Sequence, residues 1–379
     1  MPYLLRKQGV PVDRIAAIVA IATIPTIWAF IYAPVVDMGL RRRTWLFLAA
    51  NGAAGLSALA VLISAKSLGT VTVLLFSATA ISGLLSSANG ALLTTLPAGS
   101  HGRAAGWYNA GNVGGGALGG GLAIWLADEV SLRALTACVA LLVALPILAA
   151  FWIDETPIPH VAAWPRIVSL WRDLRAVVIS PRTLAGLVFF LSPVGSAAIQ
   201  NLISGVGPDY RASASEVLLI SGIAGGLLNA CGSLLGGFFC GQFDIRKAYA
   251  LSGVLAAIFG AYLALGPHSP ITYGVSYSGY AIAAGFAYAV FTALVLDVLG
   301  PQRHAAATGY SLLVASGNIP IVYMTWLNGL GYKRWGARGL MSVDALANGL
   351  GGIALFVFAA YVRRLWVRDP QQQLTERTM

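Results

Sequence analysis

Two short stretches place an acid just ahead of clustered bases. Asp37 is followed by Arg41, Arg42 and Arg43, and Asp244 is followed by Arg246 and Lys247. This pattern suits electrostatic holding rather than bond-breaking. A carboxylate at one helix end can accept from the free backbone N–H groups at the start of another helix. Guanidinium groups bind carboxylates or lipid phosphates. The bases have a second reading, in which they only fix the orientation of the chain in a membrane.

Bond-making chemistry finds no constellation. There is no H-E-x-x-H helix and no clustered nucleophile, acid or metal-ligand set. Cys138, Cys231 and Cys240 lie in apolar segments without disulfide or zinc spacing. His101, His160, His268 and His304 fall in loops or at the ends of apolar runs. The stretch Gly111 to Gly121 reads GNVGGGALGGG but lacks the Lys and Ser/Thr of a phosphate loop, so close helix packing is expected of it. No catalytic residue, metal site or cofactor is expected, and the chain is read as not an enzyme.

The elements that position these residues follow from composition. The 379 residues are 58% hydrophobic and 10% charged, with mean hydropathy +0.76. A soluble domain of this size needs a polar coat that such a composition does not supply, and a lipid solvent removes the need. The net charge of +10 comes from bases set between apolar runs, not gathered with aromatics on one face, so nucleic acid is excluded as a partner. Membrane lipids are the expected contact. Met1 to Arg14 lacks the apolar core of a signal peptide.

A bilayer core asks for roughly 20 apolar residues per crossing helix. About eleven such runs occur, near 15–36, 44–65, 69–93, 105–127, 132–153, 183–206, 216–240, 248–266, 271–298, 308–330 and 341–362. The runs are continuously apolar, unlike the alternating strands of a barrel. The fold class is therefore all-α, a polytopic transmembrane helical bundle. With the 37–43 loop taken as cytoplasmic, most of the 24 lysines and arginines fall on that side.

The longest polar interruption divides the chain into residues 1–153, an N-terminal helical bundle; residues 154–182, a cytoplasmic linker; and residues 183–379, a C-terminal bundle with a cytoplasmic tail. In the linker Trp164, Ile167, Val168, Trp171, Leu174 and Val178 recur at helical spacing, as in an interfacial amphipathic helix. The halves echo one another in the two acid-then-basic loops. They do so again in His101-Gly-Arg103 through Trp107 against Arg303-His304 through Tyr310.

The stretches Tyr3-Leu-Leu-Arg-Lys-Gln-Gly-Val-Pro, Ile24-Pro25, Tyr32-Ala-Pro34-Val-Val-Asp37 with Arg41-Arg-Arg-Thr-Trp45, and Gly336-Ala-Arg-Gly339 leading to Asp344-Ala-Leu346 carry a family likeness. They resemble the major facilitator superfamily, and within it the branch of muropeptide permeases, acetyl-coenzyme A transporters and siderophore-related permeases. The loop departs from the usual superfamily form, with Tyr32-Ala33-Pro34 ahead of the acid where a glycine is usual. The resemblance implies a multi-pass permease of the bacterial inner membrane. It would work as a monomer and move a small solute, such as a muropeptide or siderophore, by alternating access. The same fold serving as a non-transporting receptor or subunit is the alternative. The resemblance also implies that Asp37, Arg41, Arg42, Arg43, Asp244, Arg246 and Lys247 form a conformational latch.

Matching six-helix halves would need a helix ahead of Ile15, so the family's first helix is expected to be missing from this sequence. No Lys, Arg, Asp or Glu is placed near the middle of a run, with Asp297 and Asp344 near ends, which argues against a visible proton relay. By the family's topology a cavity would be lined by uncharged residues. The candidates are Asn89, Ser192, Ser196, Gln200, Asn201, Tyr277, Tyr280 and Tyr288, with hydrogen bonding between helices as their ordinary alternative.

Overall fold

A computed structural model describes the chain except residues 39, 154, 156–162, 301–304 and 363–379. The described residues are almost wholly helical, without strands. After a short helix Pro2–Lys7 come α1 (Val12–Ile27), α2 (Arg42–Leu62), α3 (Leu68–Leu93), α4 (His101–Glu129) and α5 (Leu132–Ala144). The amphipathic α6 (Ala163–Val178) leads to α7 (Pro181–Phe190), α8 (Gly225–Phe239), α9 (Ile245–Leu265) and α10 (Pro270–Leu299). The last run, Ala306–Tyr361, breaks at Trp335 and Gly336, where Gly336 has φ +64°. It is two antiparallel helices, α11 (306–334) and α12 (337–361), close enough that a Cβ on Gly331 would sit 2.7 Å from the Gly339 carbonyl oxygen.

Counting the run 306–361 as one, seven helical segments among the described residues are long and apolar enough to cross a membrane, or eight when the bent pair Ala17–Ile27 and Ala29–Asp37 is taken as one span. Helix starts follow from sequence. Ser67, Ser131, Ser180 and Ser269 each accept a backbone N–H in the first turn of α3, α5, α7 and α10, and Pro181 and Pro270 occupy first-turn positions where no N–H is needed. Two prolines mark breaks. Near Pro25, α1 bends by 49° and continues through Ala29–Asp37. Beyond Phe190, α7 gives way to a turn through Pro193, with Gly195 at φ +75° and Ala197 at +49°, followed by short 3-10 and α turns up to Tyr210. The apolar run expected to cross as one helix over 183–206 is thus discontinuous.

A break of this kind strands backbone carbonyls that lipid cannot solvate. Tyrosines take them up. Tyr323 Oη donates to the Leu191 oxygen at 2.9 Å, and Tyr249 Oη to the Val194 oxygen at 2.6 Å.

The halves meet along α4 and α8. A Cβ on Gly106 would stand 2.9 Å from Gly237 Cα, and one on Gly237 would stand 2.7 Å from the Gly102 carbonyl oxygen. Small residues thus permit backbone-to-backbone contact. The expectation for the glycine-rich stretch holds on one side only. Gly114 packs on Ala230, while Gly111, Gly115, Gly116, Gly119 and Gly120 face open space. The larger core lies in the second half, around Phe189, Phe190, Tyr249, Leu294 and Leu313.

Candidate functional site

The Asp37 carboxylate bridges the halves. It ends the bent extension of α1, is 4% exposed, and sits over the first turn of α11. Oδ1 accepts the Ala307 backbone N–H at 3.0 Å. Oδ2 accepts the Thr308 N–H at 2.9 Å and the Thr308 hydroxyl at 2.7 Å. These N–H groups are among the four a helix start leaves unpaired, and the helix dipole favours negative charge there. Around this point Ser87 and Ser311 hydroxyls meet at 2.8 Å, Asn109 Nδ2 donates to Thr292 Oγ1 at 2.9 Å, and Tyr310 packs over Gly90. The two halves are closed together at this end.

The bases after Asp37 do separate jobs. Arg42, 9% exposed, donates from Nη1 to the Ala91 carbonyl oxygen at 3.1 Å, near the C-terminus of α3. Arg43 Nη1 reaches the Ile153 oxygen at 3.4 Å. Arg41 is exposed. The backbone N–H groups of Arg42 and Arg43 go to Glu155 Oε1 and Oε2, at 2.8 and 2.9 Å. Glu155 therefore caps α2 with both oxygens, a role that sequence reading passed over. Its only signal was an acid directly after the fifth run of the first half.

The matching loop differs. Asp244 caps its own helix by accepting the Arg246 N–H at 2.9 Å and pairs with Arg246 Nε at 3.3 Å. Lys247 is exposed and lies 5.5 Å over the Phe356 ring. Arg303 and His304, half of the second echo, lie outside the described residues, as does His160.

Beyond the sealed end, a cavity of about 240 Å³ opens between α1, α3 and α11. Thr26, Thr79, Ser82, Ser86, Ser87, Tyr310, Ser311 and Asn318 give it polar groups, and no charged residue lines it. The eight proposed cavity residues fall elsewhere. Asn89 is half-buried on α3, beyond this lining. Ser192 donates to the Phe189 oxygen at 2.7 Å, and Ser196 is buried in the α7 break. Asn201 Nδ2 reaches Thr325 Oγ1 at 3.3 Å, and Tyr288 Oη reaches Gln200 Oε1 at 3.5 Å. Tyr277 and Tyr280 are buried in the core of the second half. Tyr280 donates to Asp344 at 3.1 Å. Asp344 is wholly buried.

Long apolar helices that close together at the Asp37 end over a polar cavity are those of a polytopic membrane protein. The sequence signature of the Major Facilitator Superfamily matches residues 1–322, and the chain belongs to that family. No curated protein matches the sequence. Solved structures match in fold. One is FucP, a Major Facilitator Superfamily transporter, in the outward conformation, at TM-score 0.72 and 16% identity, covering 97% of this chain and 93% of that one. Another is the human organic anion transporter MFSD10 (TETRAN), at TM-score 0.68 and 16% identity over 93% of this chain and 88% of that one. A third is the proton:xylose symporter XylE bound to 6-bromo-6-deoxy-D-glucose, at TM-score 0.68 and 14% identity over 93% and 88%. At these identities the likeness is one of fold.

Proposed function

We propose that this membrane transporter moves a small, uncharged, hydroxyl-bearing solute by alternating access, and that the structure is its outward-facing form. The observation that carries the reading is a cavity with hydroxyls and one amide but no charge, placed beyond the Asp37 seal. Asp37 and its bases then act as a latch on the cytoplasmic side, and residues 1–153 and 183–379 are the two rocking units joined by 154–182. A carboxylate or phosphate on the solute would need a charged partner to offset its desolvation, and this lining has none. Muropeptides and siderophores, the solutes implied by the branch resemblance, carry such groups and are larger than a volume of this size suits. The conformation of the FucP match supports the outward assignment. The chain is read as a monomer of a bacterial inner membrane.

The test is uptake into proteoliposomes from a panel of neutral sugars and polyols set against anionic sugars, amino acids and muropeptides. Uptake is expected for a neutral member and is expected to fall at least about tenfold in Asn318→Leu. Transport of a charged member with no neutral substrate would overturn the solute class.

A further inference from the structure

Asp344 stands apart from the cavity and from the latch. About two helical turns, roughly 12 Å, separate it from the α11–α12 break. It is 0% exposed. Tyr280 Oη of α10 donates to Oδ2 at 3.1 Å, Asn328 Nδ2 of α11 to Oδ1 at 2.8 Å, and Asn348 Nδ2 of α12 to Oδ2 at 3.0 Å. None of these partners is charged. From α9, Gly260 and Ala257 pack against Ala345 and Gly349; of that helix's tyrosines, Tyr249 donates to the Val194 oxygen and Tyr262 is exposed. Tyr273, Tyr277, Tyr288 and Asp297 are the further titratable groups on α10. A buried carboxylate without a cation is costly, and the intramembrane setting makes it more so.

The surroundings accommodate both protonation states. When the carboxyl is ionised, three donors converge on it as observed. The Oδ1 atoms of Asn328 and Asn348, both residues fully buried, have no partner. A half-turn of either amide exchanges donor for acceptor at almost unchanged shape. A protonated Asp344 then donates its O–H to an amide oxygen. A void of about 10 Å³, room for one water, adjoins the cluster. Tyr280 and Asn348 line it on one side, and Gly195, Ala197 and Ser252 on the other. It therefore connects the carboxyl's own ligands to the break in α7.

We propose that Asp344, with Tyr280, Asn328 and Asn348, is a proton-binding site within the second half, loading and releasing one proton as access alternates. The proposal rests on the carrier reading for its purpose, and it names the coupling ion. The proton comes from water and returns to water, so no other reactant is needed. Its binding changes hydrogen bonds that tie α10, α11 and α12 together beside the broken α7.

The experiment needs no substrate. Dicyclohexylcarbodiimide modifies protonated carboxyls in apolar surroundings, and the site of attachment is read by mass spectrometry on the detergent-purified chain. Labelling at Asp344 is expected to fall about tenfold or more between about pH 5 and about pH 9 as the carboxyl ionises. Asp344→Asn supplies the blank, and Asp344→Glu is expected to keep the pH-dependent label. Tyr280→Phe removes a donor to the ionised form, so the midpoint should move up by about one pH unit. An aspartate that stays ionised throughout, holding the three helices together, would show no such label. Labelling that does not depend on pH, whether absent or suppressed by sodium alone, overturns the proposal. Because labelling is read without transport, a pH-dependent label alongside failed uptake would sink the carrier reading and leave the proton site standing.

Discussion

The loop after α1 and the loop after α8 share an acid followed by bases, yet their acids hold different things. Asp37 crosses to the other half and takes three donors at the start of α11. Asp244 stays at home, capping α9 and pairing with Arg246, with 28% of its side chain exposed. The difference lies in the neighbours. Asp37 ends a helix and is pointed at the unpaired N–H groups of another, whereas Asp244 begins one and is drawn to its own first turn. A duplicated pattern thus gives one contact between the halves and one within a half. Only the first should control access.

The largest effect that could break this contrast is at Asp37. Asp37→Ala leaves the Ala307 and Thr308 N–H groups unpartnered in a buried place, which costs about 3 kcal/mol of the sealed form. That is roughly a hundredfold in the ratio of sealed to open molecules. Ser87→Cys reports it, since Ser87 is 1% exposed where the halves meet. Alkylation of that cysteine should accelerate strongly in the Asp37→Ala background. An unchanged rate would mean that the contact seals nothing.

The two faces of α4 sharpen the same point. Gly106→Ala would set a methyl 2.9 Å from Gly237 Cα and 3.0 Å from the Ser233 oxygen, against backbone that cannot swing aside. It is expected to lower stability in detergent by about 1–3 kcal/mol. Gly116→Ala meets nothing within 4 Å and should be neutral or stabilising by up to about 1 kcal/mol, since alanine favours helix. Thermal unfolding of the two variants side by side distinguishes seam from open face. Glu155→Gln comes next. It keeps one acceptor for the α2 start and loses the other, for about 1 kcal/mol, without altering Ser87→Cys alkylation.

How much of this was legible depends on what each residue answers to. Long apolar runs show directly in sequence because lipid demands them, and the helices from α2 to α10 outside the α7 run lie close to where they were expected. Breaks were harder. Pro193 and Gly195 favour a bend, but nothing local says that helix ends at Phe190, because the freed carbonyls are taken by Tyr249 and Tyr323 from distant segments. The burial of Asp344 was not legible, because hydropathy began the last run at 341 and set the acid at its edge. The chain instead re-enters helix at 337, after the positive-φ Gly336, and carries the acid inward. Tyr277 and Tyr280 were legible as polar groups in lipid but not as core residues, since burial depends on packing that one sequence does not display. Thr308 gave no signal beyond its place near the start of a run.

The smallest predicted effect completes the comparison between the loops. Asp244→Asn retains a good cap, because asparagine accepts a first-turn N–H about as well as aspartate does. What it loses is a part-exposed pair with Arg246 at 3.3 Å. Such pairs contribute under about 1 kcal/mol, so the unfolding midpoint should scarcely move. The decisive readout is again Ser87→Cys alkylation, which should match the parent within about twofold. If Asp244→Asn opened that end as readily as Asp37→Ala, the acid of the second loop would also hold the halves together, and the asymmetry drawn from Asp37 and Thr308 would be lost.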